Sequence, residues 1–322
     1  MLRPVLGLAT LALLAGCAAA PRAPATSLAE AGVKATGSFA AEVRGVATQL
    51  GSVEVGEAFT ATLQQCSNTN LTCREIVEPA ELSSERRSLA RVVALRARAL
   101  DALGAAYTAL QTEAAYDQSA DVSGAAGDAV KAADAFAAEA ARLDRGATPA
   151  AIPQPVAGLA DFGFGVLGES LQRKRLLAAS REIARATLLI RNGMVAEAGA
   201  FNRLTAYLVG KRTAARMTLL KVGLVSGDDV MKEVARDLRV TLIPSAETGT
   251  EAYRMALQAS MRALAQQEVI AIQERYQDGI AALGALLQSH ADLEKGRPLS
   301  IANVERFLTR LDASLAAANP GQ

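Results

Sequence analysis

Tryptophan is absent from this chain of 322 residues, aromatic side chains make up 4% of it, and histidine occurs once, as His290. Without tryptophan the chain lacks the broadest stacking surface that proteins offer to sugar rings. One histidine cannot build a histidine-rich zinc site or serve a triad without a located nucleophile. Past the first sixteen residues no run of eighteen uninterrupted apolar residues occurs, so no membrane-spanning helix is expected. There is no Gly-x-Ser-x-Gly elbow, no glycine loop leading to Lys-Ser or Lys-Thr, and no Cys-x-x-Cys, so no cofactor, metal or catalytic group is expected. A net charge of +1 argues against a general nucleic-acid binder.

What the chain has is alanine and leucine. Hydrophobic residues reach 51% with so few aromatics that small and aliphatic side chains must build the core, which favours helices over strands.

The first sixteen residues have the form of an export signal: a positive charge at Arg3, an apolar run from Val5 to Leu14, then small residues before a cysteine. The order Leu14-Ala15-Gly16-Cys17 is a lipobox, and the segment resembles those of bacterial lipoproteins. The resemblance implies cleavage before Cys17, acylation of its thiol and new amino terminus, and anchoring by several acyl chains, each buried methylene contributing about 0.8 kcal/mol. Ala18 stands where an aspartate tends to retain enteric lipoproteins at the inner membrane, so the expected address is the outer membrane, facing the periplasm. Residues 17–26, with prolines at 21 and 24, read as a short extended tether.

With Cys17 taken by lipid, Cys66 and Cys73 remain as a pair, which an oxidising periplasm would bridge. The intervening Ser67-Asn68-Thr69-Asn70 has turn chemistry.

The rest reads as an all-α, elongated antiparallel bundle of long helices with coiled-coil-like seams and no sheet. An N-terminal helical half over 27–145 and a C-terminal half over 157–322 are joined by a Pro/Gly-rich connection at 146–156. A first helix opens at the capping box Ser27-Leu28-Ala29-Glu30 and continues toward Gln65. A second begins near Ser84, with Leu89, Val93, Leu100, Leu103, Tyr107 and Leu110 along one stripe. A third, alanine-rich helix spans Asp121 to Arg145. After residue 171 a helix runs to Arg191, where Asn192-Gly193 caps or kinks it before the pattern resumes toward Gly223. Ser226 caps a helix that Pro244 closes, with Asp228 and Asp229 explained by cap and dipole. The box Thr248-Gly249-Thr250-Glu251 opens the longest helix, to about Leu293, and Ser300 caps the last. His290 continues the heptad-spaced seam of Val269, Tyr276 and Leu283, near a helix C-terminus whose dipole favours imidazolium.

Residues 169–221 carry eleven basic and three acidic side chains, between two acidic flanks. Arg173, Lys174, Arg181, Arg185 and Arg191 fall within a sector of about 120°, opposite a stripe of Leu176, Ile183 and Ile190. This cationic face either packs beside the acidic first half or meets an anionic partner, an envelope protein or lipid headgroups. Just before it, Gly158, Phe162, Gly163, Phe164, Gly165 and Gly168 form a glycine-rich apolar stretch within 156–171. Small residues there permit close helix packing; the alternative is a membrane-insertion tongue, which would make the chain similar in plan to α-helical pore-forming proteins. The expected function is therefore a non-catalytic, membrane-anchored periplasmic scaffold or adaptor, with the membrane-active bundle as its rival. No oligomeric state is readable.

Overall fold

A computed structural model describes residues 22–68, 84–115, 121–143, 168–238, 250–299 and 301–318. Among them are seven helices and no strand: α1 (Arg22–Asn68), α2 (Ser84–Ala114), α3 (Val122–Leu143), α4 (Gly168–Lys221), α5 (Asp228–Leu238), α6 (Glu251–Glu294) and α7 (Ile301–Ala318). The fold is all-α, as expected from composition. At 1.5 Å per residue, α1, α4 and α6 are rods of about 70, 80 and 65 Å.

The direction of each helix follows from the pairs it makes. Gly32 of α1 faces Tyr107 of α2, and Arg44 faces Asp101 at 2.9 Å, so the two are antiparallel. Arg91 of α2 against Glu139 turns α3 back again. Helix α6 runs against α4, since Ser180 meets His290 and Arg212 meets Glu268, and Arg310 on Asp278 reverses α7 on α6. Helix α4 runs parallel to α1: Gly279 of α6 touches both Phe39 and Met194, and further along Lys211 of α4 pairs with Glu57 of α1. One apolar core draws on α1, α2, α3, α4, α6 and α7, so residues on both sides of 146–156 share it. A smaller core of Val230, Leu257 and Met261, packed by Met217, Leu220, Met231, Val234, Tyr253 and Leu264, joins α4, α5 and α6 at the far end.

The expected stripe of α2 is buried throughout, from Leu89 to Leu110. Three expectations shift. Helix α1 opens at Arg22, not Ser27, so 22–26 are helical rather than part of a tether. Pro24 is tolerated because the first helical N–H groups have no intrahelical partner to lose, and Ala25, Leu28 and Ala29 are buried on this turn. Helix α4 runs unbroken through Asn192-Gly193. The glycine serves packing: a Cβ there would lie 2.6 Å from Cε1 of Phe136, well inside van der Waals contact. Helix α6 takes Thr250 as its cap, whose side chain accepts from the backbone N–H of Tyr253, the ordinary geometry of an N-terminal threonine.

At its other end Gly296, at φ +63°, provides the left-handed stop that suits glycine. Ser226 Oγ accepts from the Asp228 N–H at 3.1 Å, as a cap at the start of α5 should. Residues 1–21, 69–83, 116–120, 144–167, 239–249, 300 and 319–322 lie outside the described residues, among them Pro244, Thr248 and Ser300. With them lie Cys17, Cys73, and Gly158, Phe162, Gly163, Phe164 and Gly165 of the apolar stretch; Gly168, its last member, is the first residue of α4.

Candidate functional site

Two polar layers cross the core, and they hold the buried chemistry of the bundle. The first sits where α2, α4, α6 and α1 meet. Arg96, at 1% exposure, donates from Nη1 to Oε1 of Glu197, at 2%. The Tyr276 hydroxyl lies 2.7 Å from the Met194 carbonyl and 3.0 Å from Glu197 Oε1, its proton shared between the two acceptors. The Arg96 guanidinium stacks 4.6 Å from the Phe201 ring centroid and 5.2 Å from that of Tyr276, and the two rings stack on each other at 4.3 Å. Beside them Arg275 faces Glu42 at 3.8 Å, within ion-pair reach but beyond a direct hydrogen bond.

Burial works against the Arg96 charge, yet Glu197, Tyr276 and Glu42 more than offset it and hold its pKa above the ordinary arginine value. Burial raises the Glu197 and Glu42 carboxyls above theirs, against the pull of Arg96. An ion pair so placed is weak evidence of net stability, because desolvation consumes much of the attraction. Removing one partner is another matter, since the survivor is a charge buried without compensation.

The second layer lies nearer the start of α1. Glycine at position 32 lets the Tyr107 ring lie against α1, where an added Cβ would fall 2.3 Å from the ring. The Tyr107 hydroxyl reaches His290 Nε2 at 2.9 Å and Thr187 Oγ1 at 3.4 Å, while Ser180 Oγ lies 2.7 Å from His290 Nδ1. A neutral imidazole has one donor and one acceptor nitrogen, and either tautomer satisfies both hydroxyl neighbours. The distances are those of a nucleophile and its base, but Ser180, His290, Tyr107 and Thr187 are all buried. Access for a substrate is missing, so the layer reads as a satisfied hydrogen-bond network.

His290 thus occupies its expected seam, with Tyr276 and Leu283 buried beside it, but not its expected charge. Burial pushes its pKa down to about 3. No carboxylate is among its hydrogen-bond partners, so desolvation outweighs the helix C-terminal dipole. Asp292 is buried and accepts from Gln288 at 3.1 Å.

The cationic face of α4 divides. Arg173 and Lys174 are exposed near its start. Arg181 donates to Glu294 of α6 at 3.2 Å, Arg185 lies 4.0 Å from Glu182 of its own helix, and Arg191 runs beside Gly284 of α6. These three meet α6 or α4 itself rather than the acidic first half, because α6 is the helix packed along that side. Leu176, Ile183 and Ile190 on the opposite stripe are fully buried. Cys66 is half-buried near the end of α1. Among the described residues no group of three or more histidine, cysteine or acidic side chains is placed to hold a metal, and no helix is long and apolar enough to cross a membrane.

Sequence reasoning missed Arg96 and Glu197. The signal was present: Arg96 sits between Val93 and Leu100 on the α2 stripe, and Glu197 between Met194 and Phe201 on the equivalent stripe of α4. A charge inside a seam calls for an opposite charge on the facing helix. No family model matches the chain, and neither a curated protein nor a solved structure does.

Two predictions follow from the layers. Arg96→Met or Glu197→Leu alone should cost about 3–5 kcal/mol of unfolding free energy, and the double variant should recover a large part of it. Urea unfolding of the three proteins checks this, and simple additivity would show that the pair is not coupled. For His290 the folded pKa of about 3 lies below the ordinary histidine value of 6.5. Below pH 6.5 the unfolded chain therefore binds the proton first, so the histidine contribution to stability is present above that pH. It is lost as pH falls toward 3, at up to about 1.4 kcal/mol per unit. His290→Gln should flatten this part of the stability profile, and a variant with the same acid slope as the parent would count against it.

Proposed function

We propose that the protein is a non-catalytic helical scaffold or adaptor, anchored through lipid on Cys17 to the outer membrane, facing the periplasm, and presenting its far end to an envelope partner. The observation that carries this reading is the direction and reach of the long helices. Helix α1 starts five residues after Cys17 and runs about 70 Å away from it, with α4 parallel to it over that length. Whatever holds the start of α1 at a surface sets the opposite end of the bundle at a distance.

That far end has the properties of a contact surface. Val55 and Phe59 on α1, Val222 and Leu224 at the end of α4, and Met255 on α6 are exposed. The small core at the same end includes Met217, Met231 and Met261, flexible, polarisable side chains that let a surface adapt to a partner. The nucleophile-like group, by contrast, is buried and fully engaged.

The same compartment supports a bridge from Cys66 to Cys73, closing an eight-residue loop and contributing about 2.5 kcal/mol by chain entropy. Cys66 is a partnered rather than a free thiol.

Chemical state and membrane activity can be measured separately. Protein made in an exporting bacterium should incorporate radiolabelled fatty acid, lose it with Cys17→Ser, and show no alkylatable Cys66 or Cys73 until reduced. Absence of label in the parent would remove the anchor. The rival membrane-active reading predicts dye release from vesicles by the chain lacking residues 1–17, abolished by Phe162→Asp with Phe164→Asp. We expect no release from either protein; release by the parent that the double variant loses would replace the scaffold reading.

A further inference from the structure

Of the seven helices, α5 alone adds nothing to the main core. Its apolar side chains go to the smaller core at the far end, where Val230 is buried with Leu257 and Met261 of α6. Met217 and Leu220 of α4, with Tyr253 and Leu264 of α6, complete the lining of the groove in which α5 sits. Among the described residues, α6 is the only helix whose backbone α5 approaches closely.

The sequence of α5 is divided lengthwise. Val230, Met231, Val234 and Ala235 fall within a sector of about 140°, while Asp228, Lys232 and Arg236 lie on the opposite side and are exposed. Eleven residues are too few for a helix to persist in water by itself, so α5 depends on what its apolar face meets. That face is held lightly: Val230 is fully buried, whereas Met231, Val234 and Ala235 are only half-buried. Helix α4, by contrast, buries apolar side chains all along its middle, from Ile183 to Leu208.

The walls of the groove stand without α5. Helices α4 and α6 are joined by the main core and by Arg212 with Glu268. Helix α4 also ends without help from α5, at Gly223 with φ +77°, where the Leu224 N–H donates to the Leu219 carbonyl at 2.9 Å. Gly227 then brings the chain so near α6 that an added Cβ would fall 2.6 Å from Leu257 Cδ1. Val222 and Leu224 in the turn between remain exposed, so apolar surface is left over beside the seated helix.

We propose that α5 is an autoinhibitory plug: the groove of Met217, Leu220, Tyr253, Leu257, Met261 and Leu264 is the seat for an amphipathic helix of the envelope partner, and α5 fills it in the free protein. The proposal rests on the scaffold reading above and names the form its contact takes. Helix α5 shows what the groove accepts, an apolar face with a β-branched residue at its centre, and the methionines of the walls adapt to a helix of different sequence. A longer helix that buries more side chains than Val230 displaces α5. Because α5 competes within its own chain, the affinity seen by the partner falls with the fraction of protein whose groove is open.

Two measurements on the full chain test this. Hydrogen exchange of the parent should show the amides of α5 exchanging at least about a hundredfold faster than those of α4 from Ile183 to Leu208, through an opening that leaves the long helices intact. The second probe is a fluorescent synthetic peptide of residues 226–238. Its Kd should be about tenfold lower for Val230→Asp, which vacates the groove, than for the parent. Adding Leu257→Asp, which places a charge in the groove itself, should abolish that binding, with the helical circular dichroism of both variants close to that of the parent.

Equal protection of α5 and α4 overturns the plug, since α5 would then open only with the whole bundle, and this result needs no variant to fold. Absence of peptide binding to a helical Val230→Asp protein overturns the seat. Equal binding to parent and variant overturns the competition, and binding that survives Leu257→Asp places the peptide elsewhere. Neither lipid nor partner enters these measurements, so their failure leaves the scaffold reading to the labelling and vesicle tests above.

Discussion

The buried pair of Arg96 and Glu197 is the constraint to which the rest of the bundle answers. A guanidinium at 1% exposure requires a carboxylate, an acceptor for that carboxylate's other contacts, and aromatic faces to replace lost water. Glu197, Tyr276 and Phe201 meet those needs from α4 and α6, and Glu42 adds a charge from α1. The requirement draws four helices to a common level. Of the chain's seven phenylalanines and five tyrosines, Phe201 and Tyr276 are spent here and Tyr107 on the second layer.

The value of such layers follows from what the remaining core is made of. Much of it is alanine: α3 buries Ala126, Ala129, Ala133 and Ala140, with Val122 and Phe136 the only larger buried side chains it contributes. Alanine surfaces slide, because a shift of one turn replaces one methyl by another at small energetic difference. Against that background a charge in a seam is specific. Moving α2 by a turn would strand Arg96 among apolar neighbours at a cost of several kcal/mol. His290 with Ser180 and Tyr107 repeats the device closer to the start of α1, where a slipped α6 would leave three polar groups unpaired. Polar layers as register keys are a known use of buried polar groups in helical assemblies, and here two of them cross the core.

Composition and periodicity carried most of the architecture. Helix class, the α2 stripe, the start of α2, the end of α6 and the start of α7 were legible because propensity and three-to-four spacing are local properties. Legibility failed wherever a distant residue decided. Gly193 reads as a cap or kink until Phe136, from another helix, is seen filling the space its missing side chain leaves. Pro24 reads as tether because the rule that spares a first-turn proline depends on where the helix starts. His290 was placed on its seam correctly, but its charge depended on Ser180 and Tyr107, 110 and 183 residues away. The basic segment of α4 was visible as composition, whereas its division into lateral and terminal groups required α6 to be set beside it.

A rod of parallel and antiparallel helices has two unlike ends, and the chain order determines how unlike. Helices α1 and α4 share a direction, so the start of one lies with the start of the other, and antiparallel α6 brings its C-terminus there. The N-termini of α1, α3, α4 and α7 thus lie at this end with the C-termini of α2 and α6, so the backbone field there is on balance positive. Among the described residues, exposed side chains of both signs meet there, Arg173, Arg175, Lys295 and Arg297 with Glu30 and Asp121. The opposite end contains the methionine-rich second core and exposed Val222, Leu224 and Met255, a surface whose chemistry is apolar and adaptable. Charge at one end and apolar surface at the other suit different contacts, and about 70 Å of packed helix keeps them apart. Rigidity between the ends therefore matters as much as either surface: a bundle free to slip along its alanine seams would not hold that separation. The buried ion pair and the His290 layer are the features that oppose such slippage.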